Sequence, residues 1–380
     1  MRSAGLVLGA ALALGACRAE EPSDEPNPWP ENMKPGEEWV PPGEAEDIAK
    51  SEAMLLDFVQ TRFERDGVAR RDAHTKAHGC VKATVTVPGD LPDELAVGLF
   101  GAPATYDAWI RFSNSADHFQ RDRKPDGRGM AIKLMNVPGT KALPGHEDEP
   151  SQDFILINYP AFVVKNAADY VEFTKDSTIG HPLRFFFHEG KRYRPALKSA
   201  EKLALQRVVS PLQPTYYSMT PYAFGDGMAV KYGAKPCEHD ERRRKKLGKN
   251  YLRKQLVEDL SSGGGCFELM VQRQTDPNRM PIEDPTVKWP TDVSPYRTVA
   301  TIEVPQQAFS NADQNAMCEA MSFNPWHARK EHRPLGGINR VRRSVYVAIS
   351  DLRHALDGMK SVEPTSHDVQ AYLADIRERD

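Results

Sequence analysis

The stretch Val341-Arg342-Arg343-Ser344-Val345-Tyr346, running on through Ile349 and Leu352 to Arg353, organises the reading of this 380-residue chain. Val341, Val345, Ile349 and Leu352 recur at helical spacing, which predicts one helix over 339–356. Arg342, Tyr346 and Arg353 then fall on one stripe, at i, i+4 and i+11. Two readings of Tyr346 stay open here. One is a buried phenol hydrogen-bonded to a guanidinium, and an isolated Arg-x-x-x-Tyr favours it. The other is a phenolate bound to a metal. Tyrosine titrates near pH ~10, and a nearby cation favours its charged form. An iron centre beside Arg342 would hold Tyr346 as phenolate at neutral pH.

The bulk numbers narrow the class. Lys+Arg is 50 and Asp+Glu is 53, so a net charge of -3 gives no case for nucleic-acid binding. The length suffices for one large core or two modest domains. A hydrophobic content of 40% with 30 prolines points to a loop-rich globular enzyme rather than a helical bundle.

The first residues read as an address. Arg2 precedes an apolar, small-residue run over 5–16, too short to span a bilayer and suited to a secretory signal. It ends Leu14-Gly15-Ala16-Cys17, which resembles a bacterial lipobox. That resemblance implies a signal peptide over 1–17, an acylated Cys17 and an exported, periplasmic protein attached to the membrane by lipid only. Arg18 after the cysteine favours the outer membrane. Residues 18–44, rich in Pro, Glu and Asp, read as a flexible tether. Cys80, Cys237, Cys266 and Cys318 show no spacing that suggests a disulfide framework or a zinc ribbon, and Cys80 and Cys266 read as buried small apolar residues.

Beyond the tether, 46–65 is predicted as a helix with Ile48, Leu55, Phe58, Val59 and Phe63 on one side. Strands are predicted over 80–87, 106–113, 128–135 and 154–157, joined by polar connections without helices. That order signals an antiparallel sheet or barrel. Helices follow over 167–175 and 196–208, separated by the aromatic run 184–188. The aromatic stretch 216–224 precedes a strand over 228–232. The basic run 240–254 reads as a solvated helix face leading into an apolar-spaced helix over 252–260. Strands over 266–273 and 298–304, a helix over 311–321, a loop over 323–337 and a last helix over 367–377 complete the chain. No repeat or second-domain boundary is visible. His74 and His78, four apart, have the spacing of a helical metal pair, but Gly79 and the following strand argue against a helix there.

The set Arg71…His74, Arg111-Phe112-Ser113, Asp126-Gly127-Arg128-Gly129, Asn158 before a proline and Arg342…Tyr346…Arg353 resembles the catalase superfamily, in that chain order. The segments 220–231, 280–289 and 323–346 further resemble small bacterial catalase-related haem peroxidases, exported ones included. The likeness spans roughly residues 46–355. Each motif is short; the combination is specific. It implies an α+β fold with a catalase-like antiparallel β-barrel of about eight strands, flanking helices and C-terminal helices, in a single domain over 45–380. It implies haem b as cofactor, with Tyr346 as axial iron ligand, a trait of catalases. Arg342 would keep that tyrosine ionised, and Arg71, Arg111 and Arg353 would hold the haem propionates. His74 and Asn158 would be the distal acid/base and amide, with Ser113 orienting His74. Asp126 matches an acidic position of the main channel.

The activity so implied is two-electron heterolysis of hydrogen peroxide to a ferryl intermediate. A second peroxide (catalase) or a small organic electron donor (peroxidase) then reduces it. A neutral imidazole can take a proton from one peroxide oxygen and return it to the other. Several positions depart from the family pattern. His78 is extra, Asn114 stands for a threonine, Gly127 stands for a proline, and Phe162, Tyr170 and Phe173 compete for the aromatic that stacks on the haem. The short N-terminal arm implies an open channel, a smaller homo-oligomer and a lean toward peroxidase activity. Competing readings are a fatty-acid or other organic hydroperoxide enzyme on the same fold, with 184–188 and 216–224 lining an apolar channel, a non-catalytic haem-binding protein, and, more remotely, a zinc hydrolase on His74 and His78.

Overall fold

A computed structural model describes residues 29–30, 32–187, 194–240, 242 and 248–377. The expected signal peptide, Cys17, the first part of the tether, His188 and much of the basic run 240–254 lie outside them. The elements run α1 (Glu44–Asp66), β1 (Ala77–Val87), β2 (Ala104–Asn114), β3 (Arg128–Leu134), β4 (Gln152–Ile157), α2 (Ala167–Thr178) and α3 (Arg194–Ala204). Then come β5 (Tyr216–Tyr217), β6 (Tyr222–Ala223), β7 (Ala229–Pro236), α4 (Tyr251–Ser262), β8 (Gly265–Arg273), β9 (Arg297–Val304), α5 (Ala312–Ala320), α6 (Gly337–Leu356) and α7 (Val369–Asp375).

The strands pair antiparallel in the order β5-β4-β3-β2-β1-β9-β8-β7-β6, and β5 also pairs with β7. That last pairing joins the two ends of the sheet and closes an eight-stranded barrel, with β6 appended to β7. Closure removes the unpaired edges that an open sheet would expose. Alternation along each strand sends one set of side chains inward. Val81, Ala83, Ile110, Phe112, Met130, Ile132, Phe154, Leu156, Tyr232, Leu269 and Ile302 fill the barrel as a continuous apolar core. With the interior packed, chemistry has to be built on the outer face.

The outer face is covered by helices. Val341, Val345 and Ile349 of α6 pack on Leu55 and Val59 of α1 and on Ala167 of α2. This leaves the Arg342–Tyr346 stripe of α6 turned away from α1. At the C-terminus, Tyr372, Leu373 and Ile376 cover Trp109 of β2 together with Met317 and Cys318 of α5. Lys133 on β3, fully buried, is neutralised by Asp153 at 2.8 Å and by Glu363 at 2.5 Å.

Two expectations change. Cys80 and Cys266 are not free apolar residues. Cys80 on β1 is bonded to Cys318 on α5 with Cα atoms 5.6 Å apart, and Cys237 is bonded to Cys266 on β8 at 5.4 Å. The outward side of β1 carries Cys80 against α5, a juxtaposition that only the tertiary fold creates. Residues 29–30 and 32–43, inside the expected tether, lie against the body. Arg340 of α6 binds Glu38 at 2.8 Å, Glu44 at 2.5 Å and Glu283 at 2.9 Å. Trp39 N–H donates to Glu283, and Trp29 sits under Lys165.

Candidate active site

One row of strand register builds the first half of the site. Ala77 pairs with Ser113, Ser113 with Gly129, and Gly129 with Ile157. His74 enters just before this row and Asn158 follows it, so four strand ends converge at one rim of the barrel. His74 Nδ1 lies 2.9 Å from Ser113 Oγ. Its backbone is left-handed, φ 55°. The neighbouring loop holds it there: His74 N–H donates to Ser115 O at 3.1 Å, Thr75 N–H to Ala116 O at 3.2 Å, and Arg111 Nη2 to His74 O at 2.9 Å. Gly129 makes room. A Cβ there would stand 2.6 Å from His74 Nδ1 and 2.7 Å from Ser113 Oγ, closer than any packed contact allows.

Burial, then the guanidiniums of Arg111, Arg342 and Arg71, push the His74 imidazole down to about 3. It is neutral at any physiological pH. Asn158 is buried; its Oδ1 accepts from Arg128 N–H at 2.7 Å, and its Nδ2 donates to Gln206 Oε1 at 2.7 Å. The amide orientation is thereby fixed, with one Nδ2 hydrogen left over.

The second half is on α6. Arg342 Nη2 donates to the Tyr346 hydroxyl at 3.2 Å, with the guanidinium carbon 5.1 Å from the ring centre. Arg342 is itself fixed by Thr220 Oγ1 at 3.2 Å and Asn339 Oδ1 at 3.1 Å. Burial works to lower its charge affinity, but Tyr346 and Tyr222 outweigh burial and leave the guanidinium more basic than usual. Because Arg342 acts electrostatically on His74 as well, the two halves share one environment.

Linked to both halves, through His74 O and through α6, is a cationic cluster. Arg71, Arg111 and Arg353 converge on the end of α5: Arg71 Nη1 lies 2.9 Å and Arg111 Nη2 3.7 Å from the Glu319 carboxylate, and Arg353 Nη2 donates to Glu319 O at 2.5 Å. Arg111 and Arg353 are each pushed down to about 9, by burial and then by Arg71. The buried Nε atoms of both have no hydrogen-bond partner among the described residues. Glu319 is the carboxylate within 4 Å of Arg71 and Arg111, while Asp357 and Asp72 act on Arg353 from farther off, and the two unpartnered Nε–H groups remain to bind an added anion. That fits a ligand bearing two carboxylates, as haem does with its propionates.

The remaining predicted positions have other tasks. Asp126 accepts from Ser115 Oγ at 2.6 Å, Ala116 N–H at 3.1 Å and Gln120 Nε2 at 2.8 Å, holding the loop after β2. His78 is buried with Nε2 2.9 Å from Asn114 Oδ1, which also binds Arg128. It lies in β1 whereas His74 precedes it, so the two do not form a helical metal pair, and no cluster of three or more metal-ligating side chains occurs among the described residues. Tyr170 comes near Tyr346 and Arg342, while Phe173 packs on Phe185. Glu319 and Gln206 escaped the sequence reading: both are exposed and belong to no motif.

Among solved structures, a fungal catalase is similar at a TM-score of 0.62 and 18% identity, over 77% of this chain and 61% of that one. Catalase A from Saccharomyces cerevisiae is similar at 0.62 and 16%, over 87% and 70%. A bacterial catalase is similar at 0.56 and 14%, over 77% and 59%. The fold is the catalase fold. The chain spans about three-fifths of the length of the fungal and bacterial catalases it matches. No family model and no curated protein matches its sequence.

Proposed function

We propose that this protein is a haem-dependent oxidoreductase that decomposes hydrogen peroxide. The observation that carries the reading is the buried arginine cluster with two unpartnered Nε–H groups, tied to a neutral histidine on one side of the site and sharing a helix with a tyrosine–arginine pair. Haem b fits it: Arg71, Arg111 and Arg353 would hold the propionates, and Tyr346 would bind the iron as phenolate with Arg342 stabilising its charge. When bound, the haem supplies the two electrons that break the O–O bond.

The chain's own residues supply the proton steps. With Nδ1 engaged by Ser113, His74 Nε2 is the atom that takes a proton from the peroxide oxygen nearest the haem and returns it to the leaving oxygen. The low basicity of His74 keeps it unprotonated and ready to accept. The spare Nδ2 hydrogen of Asn158 donates to the leaving oxygen as negative charge develops there. Ser113 is a positioning residue, not a proton carrier. A second peroxide or a small organic donor completes the cycle, and the small exported haem peroxidases remain the subtype this chain resembles in sequence. The lipobox reading places it in the periplasm, tethered at Cys17, and a small homo-oligomer is the expected assembly.

The test is reconstitution with ferric haem followed by oxygen release on adding hydrogen peroxide. Oxygen release lost in His74→Ala supports a catalase. Donor oxidation with little oxygen supports a peroxidase. Absence of stoichiometric haem uptake overturns the reading.

A further inference from the structure

We infer that the last turn of α5, tied to β1 by the Cys80–Cys318 disulfide, is a covalently locked clamp that spaces the three arginines for a dicarboxylate ligand. The inference rests on the haem reading above and adds to it what holds the cationic cluster together.

Like charges so close repel, and Arg111 and Arg353 are both largely removed from water. Something must hold the group. Apart from the bond of Arg111 to His74 O, the fixed contacts come from four consecutive residues. Arg71 Nη2 donates to Met321 O at 2.6 Å and to Cys318 O and Glu319 O at 3.3 Å each. Arg353 Nη2 donates to Glu319 O, and the Glu319 carboxylate draws Arg71 and Arg111 together. His354 Nε2 adds a contact to Ala320 O at 2.8 Å, tying α6 to the same turn. The carbonyls are those left unpaired at a helix C-terminus, where cations are favoured.

This turn is not free to move. Cys318 opens it and is bonded to Cys80, which sits on β1 opposite Arg111 in the strand register. One covalent bond therefore fixes the acceptor turn relative to the strand that carries Arg111. Gln314 Nε2, donating to Cys80 O at 2.9 Å, braces the other side. The opposite disulfide, Cys237–Cys266, joins β7's end to β8 and touches none of these groups.

Rupture of Cys80–Cys318 would let the turn relax, and the arginines would separate. Such a change acts on a ligand's carboxylates and not on its apolar ring. The experiment uses the full chain loaded with iron protoporphyrin IX or with its dimethyl ester, and measures transfer of each to excess apomyoglobin. Wild type releases the diacid more slowly than the ester. In the Cys80→Ser/Cys318→Ser variant, release of the diacid accelerates about tenfold, as expected for weakened charge-assisted contacts, while ester release changes little, so the ratio collapses. Cys237→Ser/Cys266→Ser keeps the wild-type ratio. If the first variant does not accumulate, folded Cys237→Ser/Cys266→Ser protein treated with a phosphine reductant, in which Cys80–Cys318 is the disulfide left to reduce among the described residues, gives the same comparison. A wild-type ratio after loss of Cys80–Cys318 overturns the clamp while leaving the haem reading intact. A wild type that takes up neither porphyrin overturns both.

Discussion

His74 adopts a conformation that L-residues avoid, at a strain of about 1–3 kcal/mol. The loop around it compensates with two backbone hydrogen bonds and the Arg111 contact. Asn32, Asn136 and Met219 are left-handed too, but at His74 the strain stands next to a glycine that cannot be replaced without collision, which is what a reactive position looks like. Gly129→Ala should displace the imidazole and lower peroxide turnover at least tenfold in the haem-loaded enzyme, with a stability loss of about 1–3 kcal/mol from overpacking; steady-state assays beside urea unfolding check both. His74→Gln should lower turnover by about 10²–10⁴ with haem content unchanged, measured by oxygen electrode and absorbance. At this scale the sequence was informative where spacing is local: His74, Ser113, Gly129 and Tyr346 belong to short motifs. Glu319 and Gln206 were invisible, because their roles come from surfaces that meet only in the folded chain.

Helix α6 works as a plate between two layers, with its apolar stripe on α1 and its charged stripe toward the arginine cluster. Its start is fixed by Asn339, buried, which donates to Pro221 O at 2.8 Å and Leu335 O at 2.9 Å and accepts from Thr220 Oγ1 at 3.0 Å. Asn339→Ala would strand these groups away from water. It should destabilise by about 2–4 kcal/mol, read as a lower urea midpoint at constant slope, and should loosen Arg342. Lys133→Met leaves Asp153 and Glu363 buried with only the His327 imidazole beside them, at 3.3 and 3.6 Å, and should cost about 3–5 kcal/mol, checked in the same way. The helical period made α6 legible over 339–356, within two residues of its true start. β5 was not legible: two residues, Tyr216 and Tyr217, are too few to show alternation, yet they close the barrel.

For the molecule as a whole, three histidines are held neutral. Burial pushes His74 and His78 down to about 3 and His332 to about 4. Histidine in an unfolded chain titrates near ~6.5, so as pH falls below that value the unfolded chain binds protons that the folded one refuses. Stability is therefore greatest above pH ~6.5 and declines toward pH ~3–4. Urea midpoints at pH 7.5 and 5 should show the decline, and in His78→Gln its slope should shrink by up to about 1.4 kcal/mol per pH unit. The fold class followed from the strands coming in series without helices between them. The Cys80–Cys318 bond did not, because its partners are 238 residues apart, and neither did the packing of Glu38 and Trp39, which depends on contacts to Arg340 and Glu283.

The central claim is that Tyr346, beside Arg342, binds haem iron. The most direct measurement is the absorption spectrum of the ferric haem-loaded protein compared with Tyr346→Phe, at equal haem content. The account predicts stoichiometric haem and a Soret band that shifts or collapses in the variant. An unchanged spectrum, or no stoichiometric haem in the wild type, would contradict it and leave Tyr346 as a phenol hydrogen-bonded to a guanidinium.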